Sequence, residues 1–190
     1  MATTFTREYQ GLTVPQSGTY VLDTGHTTVE FVGRHLMITK VRGRFTDFSG
    51  EIVIGEEPED SSVNVTIDTA SVESSDQKRD GHLRSPDFLD VETYPTITFR
   101  STEVKVDGDG TAKVTGDLTV KDVTRPVTLD VEFDGAQADP WGGQRLGFSA
   151  HTEIDREDWG LTWNVALETG GVLVGKKIRL EFNVEAVRQA

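Results

Sequence analysis

The chain has 190 residues, with 32 Asp and Glu against 19 Lys and Arg and a formal net charge of −13. That balance argues against a nucleic-acid partner and disfavours an anionic bilayer, so membrane contact is at most transient or uses a local basic patch such as Lys40, Arg42 and Arg44. With no cysteine, no window near the ~18 apolar residues of a membrane span and no visible secretory signal, a cytoplasmic protein without disulfides is the expectation.

Residues 1–18 read as an N-terminal arm, and residues 19–190 as one domain. In the domain, apolar and polar residues alternate one by one, the period of a half-buried β-strand. Phe45 is out of phase with Phe48, Ile52 and Ile54, which places a break near Thr46 and Asp47. An acidic loop, Glu56–Ser62, precedes the row Val63, Val65 and Ile67. The alternation then stops over Gln77–Ser101, where a compact helix-like piece carries Arg79, Asp80 and His82 and runs through Phe88 and Leu89 to a Tyr94-Pro95 corner. Ile97 and Phe99 are out of phase with Val104 and Val106, so a bulge belongs near Ser101 and Thr102. Turns are expected at Asp107–Gly110 and Lys121–Pro126, and a loop at Pro140–Gly143. Four more inward rows follow the same rule: Ala112 to Val120, Val127 to Phe133, Leu146 to Ile154 and Ile178 to Ala186. Eight or so long strands with one apolar face and no βα alternation indicate an antiparallel all-β fold, either an up-and-down barrel or a two-sheet sandwich.

Chemistry-bearing patterns are few. His151, Glu153 and Asp155 share a strand face that reads as solvent-facing, and His26 and His35 lack the paired spacing of a zinc site, so no metal is expected. There is no cysteine nucleophile and no G-x-S-x-G elbow, and Gly170–Gly175 reads as a bend rather than a phosphate loop. Arg79, Asp80 and His82 admit two readings: recognition of an anionic head group or tuning of a base, or ties that hold the short helix to the barrel mouth. Phe88 and Leu89 read as a lid over an apolar cavity, as packing onto the sheet, or as both.

Taken in order, these segments resemble the YceI family of lipocalin-like polyisoprenoid-binding proteins. The resemblance is carried by Tyr20–Asp23, His26–Phe31, His35, Val41–Phe45, Phe48–Gly50, Ile67–Val72, Arg79–Asp90, Tyr94-Pro95, Phe99, Gly116–Val120 and Arg156–Leu161. No one motif is specific, whereas their order and spacing are; Thr27 stands where the family usually has serine, and the lipocalin G-x-W mark is missing. The resemblance implies an extended antiparallel lipocalin-like barrel of about eight strands with a short helical cap. It also implies an apolar interior for an isoprenoid quinone or prenyl compound, in a carrier or storage role without a cofactor. Dimers are common in the family, so a homodimer is an expectation. On this reading Phe31, Phe45, Ile67, Phe99, Leu118 and Phe148 line the interior, and Leu36, Met37, Leu83, Phe88 and Trp159 close its ends. His35, Arg79, Asp80 and His82 complete the expected ligand-binding set. An enzyme using His82 or His35 as base, or a β-module filled by its own side chains, are the alternatives.

Overall fold

The computed structural model describes residues 5–190. Among the described residues are thirteen strands and one α-helix: β1 (Thr6–Tyr9), β2 (Leu12–Pro15), β3 (Gly18–Leu22), β4 (Thr28–His35), β5 (Thr39–Phe45), β6 (Phe48–Ile54), β7 (Ser62–Asp68), β8 (Val72–Glu73), α1 (Gln77–Arg84), β9 (Thr96–Val106), β10 (Thr111–Val120), β11 (Val123–Ala138), β12 (Gln144–Asp155) and β13 (Lys177–Arg188). Eight strands close in the order β12-β11-β10-β9-β7-β6-β3-β13, because β13 also pairs with β12; β4, β5 and β8 branch from β13. All pairings are antiparallel. The barrel reading is therefore right and the sandwich reading is not.

Two stretches of the sheet are each divided between consecutive strands. β5 ends at Phe45 and β6 begins at Phe48, so the expected phase break at Thr46 and Asp47 is the bend between them. Similarly, β13 pairs with β3 through Ala186–Arg188 and with β4 through Arg179–Asn183. The other phase change is a bulge: Thr115 faces Glu103 but Gly116 faces Ser101, leaving Thr102 as the extra residue. A second bulge falls at Asp134, between the pairs Phe133–Phe148 and Gly135–Gly147. These bends let ten-residue strands curve around a closed interior.

One turn is shorter than expected. β10 and β11 are joined by Lys121 and Asp122 alone, both at positive φ, the two-residue hairpin form. Pro126 therefore lies inside β11. The ladder to β12 begins only at Asp130, so Pro126 sits where a single neighbouring strand needs hydrogen bonds.

Residues 1–4 of the expected arm lie outside the described residues, and the rest of it is structured. β1 and β2 form a hairpin turned by Gln10 and Gly11, both at positive φ. Val14 and Pro15 are buried, and Arg7 ties the hairpin down by donating to the carbonyls of Pro15 (3.2 Å) and Gly55 (2.8 Å). Strands of four residues leave too little alternation for this hairpin to stand out in the sequence.

The core follows the inward rows: Ile52, Ile67, Ile97, Leu118, Val127 and Leu146 are all buried. Glycines make room for aromatic rings that cross from the neighbouring strand. A Cβ on Gly116 would stand 2.5 Å from Phe99 Cζ and 2.6 Å from the Arg100 carbonyl oxygen, a backbone atom that cannot yield cheaply. Gly108 has open space around its Cα. We therefore expect Gly116→Ala to lower stability by about 1–3 kcal/mol in urea unfolding, with Gly108→Ala within about 0.5 kcal/mol of the parent.

Candidate ligand site

The barrel encloses two apolar cavities, about 220 Å³ and about 340 Å³. They meet on Val29, Ile67, Leu118, Leu180 and Phe182, which line both. The first runs toward the β1–β2 hairpin and takes its walls from residues such as Val65, Phe99, Val114, Val131 and Phe148. The second runs toward α1 and is walled by Phe31, Phe45, Leu83, Phe88 and Trp159. Every inward row contributes because the alternation of each strand puts one apolar face on this axis.

α1 is short, and its local sequence alone would not hold it. Asp76 caps it by accepting from Arg79 N at 2.9 Å. Arg84 ties it to the sheet by donating to the carbonyls of Ala70 (2.9 Å) and Val72 (2.6 Å). Arg79 and Asp80 do not pair with each other, since adjacent helical residues point in different directions. Ser74 stands between them: Arg79 Nε donates to its hydroxyl and Nη2 to its carbonyl, both at 2.7 Å, while the hydroxyl donates to the buried Asp80 carboxylate. His82 Nε2 lies 2.9 Å from Asp87 Oδ2, and its ring meets Phe88 and Trp163 edge-on at 5.0 and 4.5 Å between centroids. His82, Phe88 and Trp163 thus form one cluster that joins α1 to residues 160–176.

That 17-residue segment is the second wall of this end. Residues 156–159 form a 3-10 turn pinned by Trp159, whose indole N–H donates to the Leu118 carbonyl at 3.0 Å. Arg156 is 4% exposed, and its guanidinium donates to the carbonyls of Gly175 (3.0 Å), Leu161 (2.5 Å) and Val174 (3.4 Å). One buried cation therefore gathers both ends of the segment.

The expected site residues separate clearly. Phe31, His35, Phe45, Arg79, His82, Leu83, Phe88 and Trp159 line the second cavity, Phe99 and Phe148 the first, and Ile67 and Leu118 both. Asp80 lines neither; it is buried behind the helix against Ser74. Leu36 and Met37 also line neither cavity. They sit exposed at the β4–β5 tip, because β4 continues past the barrel rim before turning. Residues not singled out from the sequence include Arg34, Ser74, Arg156, Trp163, Leu173 and Val174. Trp163 lies only two residues beyond the Arg156–Leu161 motif, but no periodicity marks it as inward. Among the described residues no buried side-chain nitrogen or oxygen lacks a hydrogen-bond partner.

Among the described residues, one group of two acids and a histidine could be taken for a metal centre. Asp23, His26 and Glu185 approach within ligand distance of one another. Arg145 already fills that position, with Nη1 2.5 Å from Asp23 and 2.6 Å from Glu185 and Nε 2.9 Å from Asp139. The guanidinium, with His26 as a second partner, holds the Asp23 carboxyl down to about 2. His151 and Glu153 are exposed, as expected of an outer face.

A YceI-like domain model matches residues 20–186. The UPF0312 protein VPA0850 of Vibrio parahaemolyticus is 44% identical over 147 residues, covering 76% of this chain and 78% of that protein. The crystal structure of the Campylobacter jejuni YceI protein is 31% identical, with a TM-score of 0.71 over 83% of this chain and 90% of that one. A polyisoprenoid-binding domain from Saccharophagus degradans, implicated in plant cell wall breakdown, shares the fold at 16% identity, with a TM-score of 0.65 over 92% of this chain and all of that one. No helix among the described residues is long and apolar enough to cross a membrane.

Two predictions follow from the ties around the site. Arg156→Met leaves the Gly175 and Leu161 carbonyls without their donor, while the Val174 carbonyl keeps Asn164 Nδ2 at 2.7 Å, so we expect a loss of about 2–4 kcal/mol and faster chymotryptic cleavage at Trp163. Asp23, with its pKa depressed in the folded state, contributes stability above its unfolded value near 4 that is lost as pH falls through about 2. In Arg145→Gln that contribution is missing. The melting-temperature gap between parent and variant should therefore be full at pH 5 and narrow toward pH 2.

Proposed function

The chain belongs to the YceI-like domain family, and from that premise we propose that it binds a long-chain isoprenoid, a quinone or prenyl compound, as a carrier or store rather than as an enzyme. The observation that supports this reading is the junction: two apolar cavities lie against the same five side chains, an arrangement suited to a chain that runs between them rather than to a compact ligand. Hydrocarbon burial at ~0.8 kcal/mol per methylene gives at most ~4 kcal/mol for each five-carbon unit. Three or four units then support tight binding after association costs, with no metal or covalent bond.

The chain's polar head belongs at the α1 end, where Arg34, His35, Ser74, Arg79, His82 and Arg156 contribute to the second cavity. The tail belongs toward the β1–β2 hairpin, where Val14 and Pro15 contribute to the wall. His82 has a carboxylate partner, as a general base would, but two aromatic rings pack against its edge. That packing favours a role in holding the cap closed.

Titration with prenyl compounds of increasing length tests the reading. Affinity of the parent should rise with each added unit until both cavities fill. Leu118→Trp, at the junction, should abolish the gain beyond the first few units while leaving short compounds bound. Binding that is independent of length, or a variant that follows the parent throughout, would refute the continuous interior.

A further inference from the structure

We propose that the β4–β5 tip is a docking wedge for an anionic lipid bilayer. Leu36, Met37 and Ile38 form this tip and are 37%, 52% and 74% exposed. Val165, also exposed, adjoins them: Leu173 N donates to the Val165 carbonyl at 2.9 Å, and Leu36 N donates to the Leu173 carbonyl at 2.8 Å. The tip's backbone makes its composition harder to explain by folding. Ile38 N donates to the His35 carbonyl at 3.0 Å, and both central residues of that turn, Leu36 and Met37, have positive φ (53° and 59°). Turns of this kind favour Asn and Gly. Two long apolar side chains are instead held in left-handed conformation and pointed at solvent, an arrangement that folding does not require.

The charge around the tip opposes that of the molecule. Residues 31–46 carry Arg34, Lys40, Arg42 and Arg44, and residues 169–180 carry Lys176, Lys177 and Arg179; neither segment contains Asp or Glu. The fold joins them: Gly175 N donates to the Arg34 carbonyl at 2.9 Å, and Arg179 pairs with Val32. Met37 and six of these cations line one surface groove, against three acids, Glu153, Asp155 and Glu181. Glu181 is engaged by Arg42 and Arg179, Glu157 holds Lys176, and Arg44 is paired with Glu73. Lys40 and Lys177 have no ion-pair partner among the described residues. On a chain of net charge −13 this is a local reversal of sign. It turns a molecule repelled by an anionic surface tip-first toward it.

Apolar side chains ringed by Lys and Arg are the composition that inserts shallowly into a headgroup layer. A tip three residues wide is far below the ~800 Å² per partner of a stable protein interface, so a bilayer fits it better than a second copy. Arg34 and His35 belong both to this hairpin and to the wall of the second cavity, which puts the wedge beside the cavity's α1 end. The proposal is independent of what the cavity holds.

Co-sedimentation of the full chain with phosphatidylcholine vesicles, with and without about a third phosphatidylglycerol, tests it. The parent should bind the anionic vesicles only, and sodium chloride should release it. Met37→Asn/Ile38→Thr should lower binding about tenfold. It should melt no lower than the parent, since Asn accepts the left-handed turn that strains Met. Lys40→Glu/Lys177→Glu should lower binding about tenfold as well. No binding by the parent, binding by either variant equal to the parent's, or a parent dimer that Met37→Asn/Ile38→Thr converts to monomer would overturn the assignment.

Discussion

β13 is the strand on which the architecture depends. It pairs with β12 along its length and, on its other edge, with β3 near its C-terminus and β4 nearer its N-terminus. A sheet edge left open here would expose unpaired backbone groups and open the interior to water. Closure through one forked strand instead gives the molecule an inside, and the alternation of the strands makes that inside apolar. Leu180 and Phe182 of β13 lie at the junction of the two cavities, with Val184 on the side of the first. The same strand therefore closes the barrel and joins its two compartments.

A closed sheet still has two ends, and the molecule treats them differently. The end toward the N-terminus is covered by a hairpin tied through Arg7 to backbone carbonyls. The other is covered by α1 and residues 160–176, which rest on side-chain ties: Arg79 and Asp80 through Ser74, Arg84 to the sheet, Arg156 to three carbonyls, and His82 against Trp163. Most of the charged groups at this end are committed to holding the cover. An interior that takes up and releases a large apolar ligand needs one end that can open locally, and an end made of a short helix and a long loop is the one with fewer ladder hydrogen bonds to break.

The strands were legible because period-two alternation records which face is buried, residue by residue. Even the phase slips at Thr46-Asp47 and Thr102 could be located, since a bend or bulge must shift the parity of the residues beyond it. Inward side chains followed from the same rule, and Phe31, Ile67, Phe99, Leu118 and Phe148 line the cavities as their parity requires. Features without periodicity were not legible. Leu36 and Met37 are apolar and near a strand end, which suggests a plug, yet they lie beyond the rim where no parity rule applies. Trp163 and Arg156 reach the site through a loop path set by ring contacts with His82 and Phe88 and by carbonyls of the loop itself, which no period records. Arg79 and Asp80 act through Ser74 rather than on each other because sequence neighbours on a helix are not spatial neighbours, and the β1–β2 hairpin escaped notice because four-residue strands are too short to show a period.

The account rests on a single elongated interior that holds one chain-like ligand. Native mass spectrometry of the purified protein, paired with organic extraction and ultraviolet spectra of the extract, addresses this most directly. The account predicts an added mass of one isoprenoid per chain that disappears on extraction, with quinone absorbance if the head is a quinone. A chain at its bare mass that stays so after incubation with prenyl compounds of every length would contradict it.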